Sequence, residues 1–275
     1  MREIEKEGWY TGIVEIADNE NEGVLSEIME YTAFTNQGSR DKNEDSFGIA
    51  FSGDSCCFAV ADGLGGHGGG EIASKAAVDA VCTLFSGHGY SDTFFSDAFQ
   101  SAQEAILKEQ ELMNRFSEIK TTMVILVLHE GYSYWAHIGD TRLYLFKNRK
   151  YRLHTPDHSV PQMLAFSGEI READIRHHPD RNRLMRVMGI KGESPRFERG
   201  NPVKNRGFQA YLLCTDGYWE LIEESEMEHL LKSSSSVEEW VLAMNAVIRK
   251  NGSGSDMDNF TAIAVFVKNR GFFGL

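Results

Sequence analysis

Five acidic side chains in this sequence are spaced as if to serve one purpose: Glu44, Asp62, Asp140, Asp216 and Asp258. Each lies at the end of an apolar run or in a short loop beside one. No cysteine and few histidines accompany them, so a site built from them offers only oxygen donors, the set that suits magnesium or manganese better than zinc. Clustered carboxylates repel one another strongly in a low-dielectric pocket, so a fold that gathers them needs cations to be stable. Two such ions about 3.5 to 4 Å apart would lower the pKa of a water molecule and clamp an in-line displacement at phosphorus. Arg40 supplies a planar fork that matches phosphate oxygens in two-point contact.

Of the five, Asp62 has the most pointed context. The run Cys57-Phe58-Ala59-Val60-Ala61 has the length and composition of a buried strand and ends on this carboxylate. A nearly all-glycine stretch follows, Gly63-Leu64-Gly65-Gly66-His67-Gly68-Gly69-Gly70, and then a helical pattern opens with Ala73, Ala77, Val81 and Leu84 on one face. Without side chains, the backbone of Gly63 can come close to an ion or a phosphate. Two readings stay open on this stretch alone, beside that of an ordinary turn. A phosphate-cradling glycine loop lacks the expected Lys-Ser/Thr and the GxGxxG spacing. A hard-cation site needs the other carboxylates.

The elements that must carry these groups follow from periodicity. Strands are expected over Tyr31 to Thr35, Phe47 to Phe51, Thr122 to Leu128, Tyr132 to Ile138, Arg142 to Phe146, Tyr211 to Cys214 and Phe260 to Val267. The charged loop Ser39 to Ser46 joins the first two, and the ordinary reading of such a loop is solvated surface. Gly139-Asp140-Thr141 reads as a hairpin turn, and Tyr211 to Gly217 repeats the strand-into-Asp-Gly pattern of Asp62. Apolar stripes at helical spacing run from Phe95 to Phe116 and from Val237 to Ile248, the latter closed by Arg249, Lys250 and Gly252. Thr155 to Ser159 reads as a helix start. Residues 171–199 carry eight Lys or Arg against five Asp or Glu, a local excess that suits either an anionic substrate or a salt-bridged face.

Composition narrows the class. The 275 residues suffice for a large core, and 41% hydrophobic with 25% charged residues is ordinary for a soluble domain. A net charge of −13 argues against nucleic acid, which calls for a basic stripe. No apolar run approaches the roughly 20 residues of a membrane span. The first 30 residues hold nine acidic and two basic side chains, which suggests an acidic extension, loosely docked or paired as an edge strand through Trp9, Tyr10, Ile13 and Val14. The N-terminus lacks the order of a signal peptide, so a cytoplasmic location is expected. Cys56, Cys57, Cys82 and Cys214 read as small buried apolar residues. No heptad repeat demands a partner chain, and a monomer is expected.

Six motifs in order carry a resemblance. They are Gly38-x-Arg40-x-x-Asn43-Glu44-Asp45, Asp62-Gly63-x-Gly65-Gly66-His67, Gly139-Asp140-Thr141-Arg142-x-Tyr144, Asp157-His158-Ser159, Thr215-Asp216-Gly217 and Asp258-Asn259-x-Thr261. Together they resemble the PPM/PP2C family of metal-dependent protein serine/threonine phosphatases, bacterial type, over residues 31–268. The resemblance implies an α+β fold, a four-layer αββα sandwich of two antiparallel β-sheets flanked by helices, with the metals at one end. It implies a core domain 31–268 with a flap at about 160–199, between an acidic extension 1–30 and a tail 269–275. It also implies two Mn2+ or Mg2+ ions bridged by Asp62. Asp216 and Asp258 complete one, and Glu44 and the Gly63 carbonyl hold the other. Asp45 orients waters, Asp140 and Asp216 share a third, weaker ion, and Arg40 grips the phosphate.

The implied activity is hydrolysis of phosphoserine and phosphothreonine on proteins by a water activated at the binuclear centre, with a serine/threonine protein kinase as functional counterpart. Two alternatives are a catalytically inactive phosphoprotein-binding module, disfavoured by the retention of every ligand, and a hydrolase of small phosphate esters. Leu64 is a departure: animal members carry a histidine there, proposed as general acid, whereas similar bacterial members have an apolar residue. His67 and His158 read as packing residues.

Overall fold

The computed structural model describes residues 4–6, 9–16, 27–65, 69–115 and 119–269. His67, Phe116, the tail after residue 269 and the rest of the acidic stretch lie outside the described residues. In chain order the elements are β1 (Ile4–Lys6), β2 (Trp9–Ile16), β3 (Glu27–Asn36), β4 (Asp45–Ser52), β5 (Ser55–Leu64), α1 (Gly69–His88), α2 (Phe94–Met113), β6 (Lys120–Thr121), β7 (Met123–His129), β8 (Tyr132–Ile138), β9 (Arg142–Lys147) and β10 (Lys150–His154). Then come α3 (Val160–Ser167), a 3-10 turn at Glu172–His177, β11 (Glu198–Arg199), β12 (Val203–Lys204), β13 (Phe208–Cys214), α4 (Asp216–Trp219), α5 (Glu224–Ser233), α6 (Val237–Asn251) and β14 (Phe260–Asn269).

The strands form two antiparallel sheets. One runs β1-β2-β3-β14-β13-β9-β10 and the other β11-β8-β7-β5-β4, with β12 beside β8 and β6 beside β5. Strict alternation builds the layers. Cys56, Phe58 and Val60 of β5 enter a core between the sheets, where they meet Tyr211, Leu213, Ile263 and Val265. Cys57, Ala59 and Ala61 face the opposite way, into a second core with Ala77, Val81 and Phe99 of α1 and α2. Ala210, Leu212, Ala264 and Phe266 form a third core with Trp240, Met244 and Ile248 of α6. Strands buried on both faces read as continuous apolar runs, and three cores between four layers make the αββα sandwich.

Alternation also aims Asp62. It continues the Cys56-Phe58-Val60 face and so stands where the core between the sheets gives out at one end of the sandwich. Its partner across the β4–β5 ladder is Asp45. Two connections cross from one sheet to the other at this end. The loop from β3 to β4 carries Arg40 and Glu44. Gly139-Asp140-Thr141 joins β8 in one sheet to β9 in the other, so the hairpin expected there is a crossover. Gly139 takes φ 97°, and a Cβ on it would come 2.3 Å from the Thr122 side chain, so the crossing needs a glycine.

The acidic stretch is tied in more closely than a loose extension: β2 pairs with β3 from Trp9 opposite Phe34 to Ile16 opposite Glu27. The boundary expected between residues 30 and 31 cuts through β3, because ladder pairing continues on both sides of it. Cys56, Cys57 and Cys214 are buried and Cys82 is half-buried, all as free thiols.

Phe99 is fully buried and stacks on Phe197 at 4.6 Å with an interplanar angle of 6°. Phe99→Ala should lower unfolding free energy by about 3–5 kcal/mol. Urea unfolding followed by circular dichroism checks this, and a loss below about 1 kcal/mol contradicts the packing described.

Candidate metal centre and active site

The end of the sandwich opens into a pocket of about 750 Å³. Its lining includes Glu44, Asp62, Asp140, Asp216 and Asp258, with Arg40 and Gly63. All five carboxylates singled out in the sequence therefore meet at one place, although 214 residues separate the first from the last. Asp45 lies just behind, nine-tenths buried in the β4 strand.

Backbone contacts fix this convergence. Asn259 Oδ1 accepts from the Glu44 N–H at 2.8 Å, and its Nδ2 donates to the carbonyls of Gln37 at 2.7 Å and Lys42 at 2.9 Å. One amide thus ties the Arg40 and Glu44 loop to β14. The Gly63 N–H donates to the Glu44 carbonyl at 3.1 Å. A Cβ on Gly63 would lie 2.2 Å from the Gly70 carbonyl oxygen, so the start of α1 can close over β5 only because both residues are glycine. The Asp62 carbonyl accepts from the Thr122 N–H at 2.9 Å and from Thr121 Oγ1 at 2.7 Å. Behind the pocket, Thr215 Oγ1 donates to Asp45 Oδ2 at 2.8 Å.

The electrostatics are those of crowded anions. Desolvation, reinforced by Asp216, Asp45 and Asp140, pushes the Asp62 carboxyl well above the ordinary range. Asp216 is raised in the same way by desolvation and then by Asp140 and Glu220. Burial lifts Asp45 to about 7 despite hydrogen bonds from Thr261 and Thr215, and lifts Asp140 to about 7 with Asp157 adding to the effect. Glu44 is raised more modestly by desolvation, against a backbone hydrogen bond from Gly70. Arg40 is held charged chiefly by Asp258, with Nη2 to Oδ2 at 2.8 Å.

Among the described residues, no three His, Cys, Asp or Glu side chains are already drawn together tightly enough to hold one ion; Asp258 is turned towards Arg40 instead. The donor set nevertheless fits hard cations. It is all oxygen, it carries excess negative charge, and Asp140 Oδ1 is buried with no hydrogen-bond partner in the structure.

Several functional neighbours escaped the sequence reading. Asn259, Thr215 and Thr261 stood inside quoted motifs, but neutral side chains that act by holding backbone leave no charge signal. Trp219 stood in none; its indole Nε1 donates to the Asp140 carbonyl at 3.0 Å. His158 packs, as expected. It stacks on His137 at 4.7 Å, accepts from the Gly139 N–H at 3.1 Å, and has its pKa lowered to about 3, chiefly by burial. The basic segment is largely spoken for by ion pairs: Arg176 meets Glu224 at 2.8 Å and Arg181 meets Glu220 at 2.5 Å.

Known proteins resemble this chain in sequence and in fold. The family model described as Protein phosphatase 2C matches residues 36–252. The serine/threonine phosphatase stp of Listeria welshimeri is 31% identical over 233 residues, 82% of this chain and 90% of that one. The crystal structure of the Mycobacterium tuberculosis serine/threonine phosphatase PstP/Ppp superposes with a TM-score of 0.76 at 25% identity, covering 86% of this chain and 97% of the other. The catalytic domain of PstP, solved in complex with two manganese ions, superposes with a TM-score of 0.74 at 24% identity, over 88% and 99% of the two chains.

The raised carboxyls make the metal-free protein sensitive to pH in a definite direction. A carboxyl with an ordinary value of 3.8 that sits at about 7 in the fold binds its proton more tightly folded than unfolded. Its stabilising effect is present at low pH and is lost as pH rises from about 4 to 7. In EDTA, the urea midpoint of the wild type should fall over this window, Asp45→Asn should fall less, and added Mn2+ at pH 7 should restore the wild type. Superimposable pH curves for the two proteins would contradict the assignment.

Proposed function

The chain belongs to the protein phosphatase 2C family, and on that premise we propose that it hydrolyses phosphoserine and phosphothreonine on proteins. The observation that carries the reading is the meeting of five carboxylates in one pocket with Arg40 at its rim. In this reading Asp62 would serve as a ligand to both of two divalent cations, Asp216 and Asp258 would hold one of them, and Glu44 and the Gly63 carbonyl the other. Asp140 and Asp216 would hold a third, weaker ion. When bound, Mn2+ or Mg2+ supplies two things: a lowered pKa for water and a positive field for the phosphate.

The chain's own residues do the remainder. Water attacks phosphorus, the bond from phosphorus to the serine or threonine Oγ breaks, and the products are the free alcohol and inorganic phosphate. Asp45, held by Thr215, orients water from behind the pocket. The Arg40 side chain is half-exposed and its guanidinium is paired with Asp258, so a substrate phosphate competes with that carboxylate for it. Leu64 lines the pocket but has no titratable atom, so the proton for the leaving oxygen does not come from residue 64. Phosphoproteins as substrates, a serine/threonine protein kinase as counterpart, a cytoplasmic location and a monomeric state belong to the same reading. No helix among the described residues is long and apolar enough to cross a membrane.

The test is hydrolysis of a phosphothreonine peptide with and without Mn2+. Activity should require the metal and fall at least about 100-fold in Asp216→Asn. Arg40→Ala should lower kcat/KM about 10- to 100-fold, as expected for losing a charged hydrogen bond. A wild type that binds Mn2+ but releases no phosphate overturns the reading.

A further inference from the structure

Two motifs of the sequence, Gly139-Asp140-Thr141-Arg142 and Asp157-His158-Ser159, meet away from the substrate pocket around one side chain, Trp219. Arg142 Nε and Nη2 both reach Asp157 at 2.7 Å, and its Nη1 donates to the Tyr144 hydroxyl at 3.0 Å. This buried fork sits over the Trp219 ring, with Cζ 3.5 Å from the centroid. Arg176 approaches the same ring at 5.5 Å and is itself held by Glu224. The indole is thus gripped by two buried arginines, one met by the buried Asp157 and the other by the half-buried Glu224, a geometry worth more out of water than at a surface.

Trp219 has one polar atom, and it points back at the site: Nε1–H donates to the backbone carbonyl of Asp140. It also ends the single turn of α4 that Asp216 begins, and the Glu220 N–H closes that turn on the Asp216 carbonyl at 2.9 Å. One rigid ring therefore connects Asp140, on the crossover between the sheets, to Asp216, after β13. It acts beside the β9–β13 ladder, which pairs Arg142 with Cys214 at the edge of the same two segments. We propose, on the premise that Asp140 and Asp216 hold a divalent cation, that Trp219 is a positioning residue that sets their separation, with Arg142 locking the ring.

Tryptophan elsewhere supplies the control. Trp240 is equally buried and donates its indole N–H to the Met227 carbonyl at 3.0 Å, but it lies in the α6 core away from the pocket. Trp219→Phe and Trp240→Phe each remove one such bond and keep an aromatic face. Mn2+ binding to the full chain is measured by isothermal titration calorimetry, with circular dichroism as the check of folding. The weakest Mn2+ step should weaken about 10- to 100-fold in Trp219→Phe, as for loss of a group that orients a ligand, while Trp240→Phe matches the wild type. Unchanged Mn2+ affinities in Trp219→Phe, or equal losses in both variants, overturn the proposal.

A second measurement needs neither variant to fold. With 15N-labelled indoles in the wild type, one indole N–H resonance should move at the weakest step of a Mg2+ titration, and that movement should vanish in Asp140→Asn. No moving resonance overturns the proposal as well. Peptide hydrolysis is read separately. A wild type that hydrolyses while Trp219→Phe keeps its Mn2+ affinity removes this proposal alone; a wild type that binds no divalent cation removes the metal-centre reading with it.

Discussion

Mutual repulsion among carboxylates is the constraint on which the rest of this structure depends. Five acidic groups line one pocket, and Asp62 and Asp216 each feel several of the others. Nothing local favours that gathering, so the fold must impose it. Long apolar strands do so by burying their middles on both faces and leaving their ends to carry the charge. The energy that holds the anions together comes from Phe58, Val60, Leu213 and Val265, not from the site.

Around the anions, neutral groups hold the geometry. Asn259 binds the loop of Arg40 and Glu44 to the last strand, glycines at 63 and 70 let two backbones touch, and threonines at 121, 122 and 215 bond the segments beside Asp62 and Asp45. Asn259, the threonines and their partners close contacts between segments distant in sequence. Beside the pocket the left-handed conformation falls on glycines such as Gly139, where it costs little, while Asn114, Glu130, Asn148 and Arg149 adopt it at turns elsewhere.

Much of this was legible in the chain because its two determinants are local. Continuous apolar runs, Cys56 to Ala61 and again Ala262 to Val267, mark strands buried on both faces, and Asp-Gly after such a run marks a strand end carrying a charge. The pairing of strands was not legible. Nothing in Tyr132 to Phe146 distinguishes a hairpin from a crossover, since both need a tight turn and only the competing partners β7 and β13 decide between them. The acidic residues flanking β2 masked a strand that pairs on both sides, with β1 and with β3, because charge dominates the composition of that stretch. Trp219 was invisible for another reason: an aromatic before an amphipathic helix reads as core, and its one polar bond depends on a loop 79 residues away.

The position of β14 carries a consequence for how the protein comes into being. This strand lies between β3 and β13 in the middle of its sheet, so the first and last thirds of the chain are adjacent there. Loop closure over such a separation is slow, and during synthesis the early strands wait for a partner that is made only after β4 to β13. Asp258 and Asn259, just before β14, arrive with it. A nascent or truncated chain therefore has most of the ligands and none of the site, and competence for divalent cations appears only as the final strand slides into the gap.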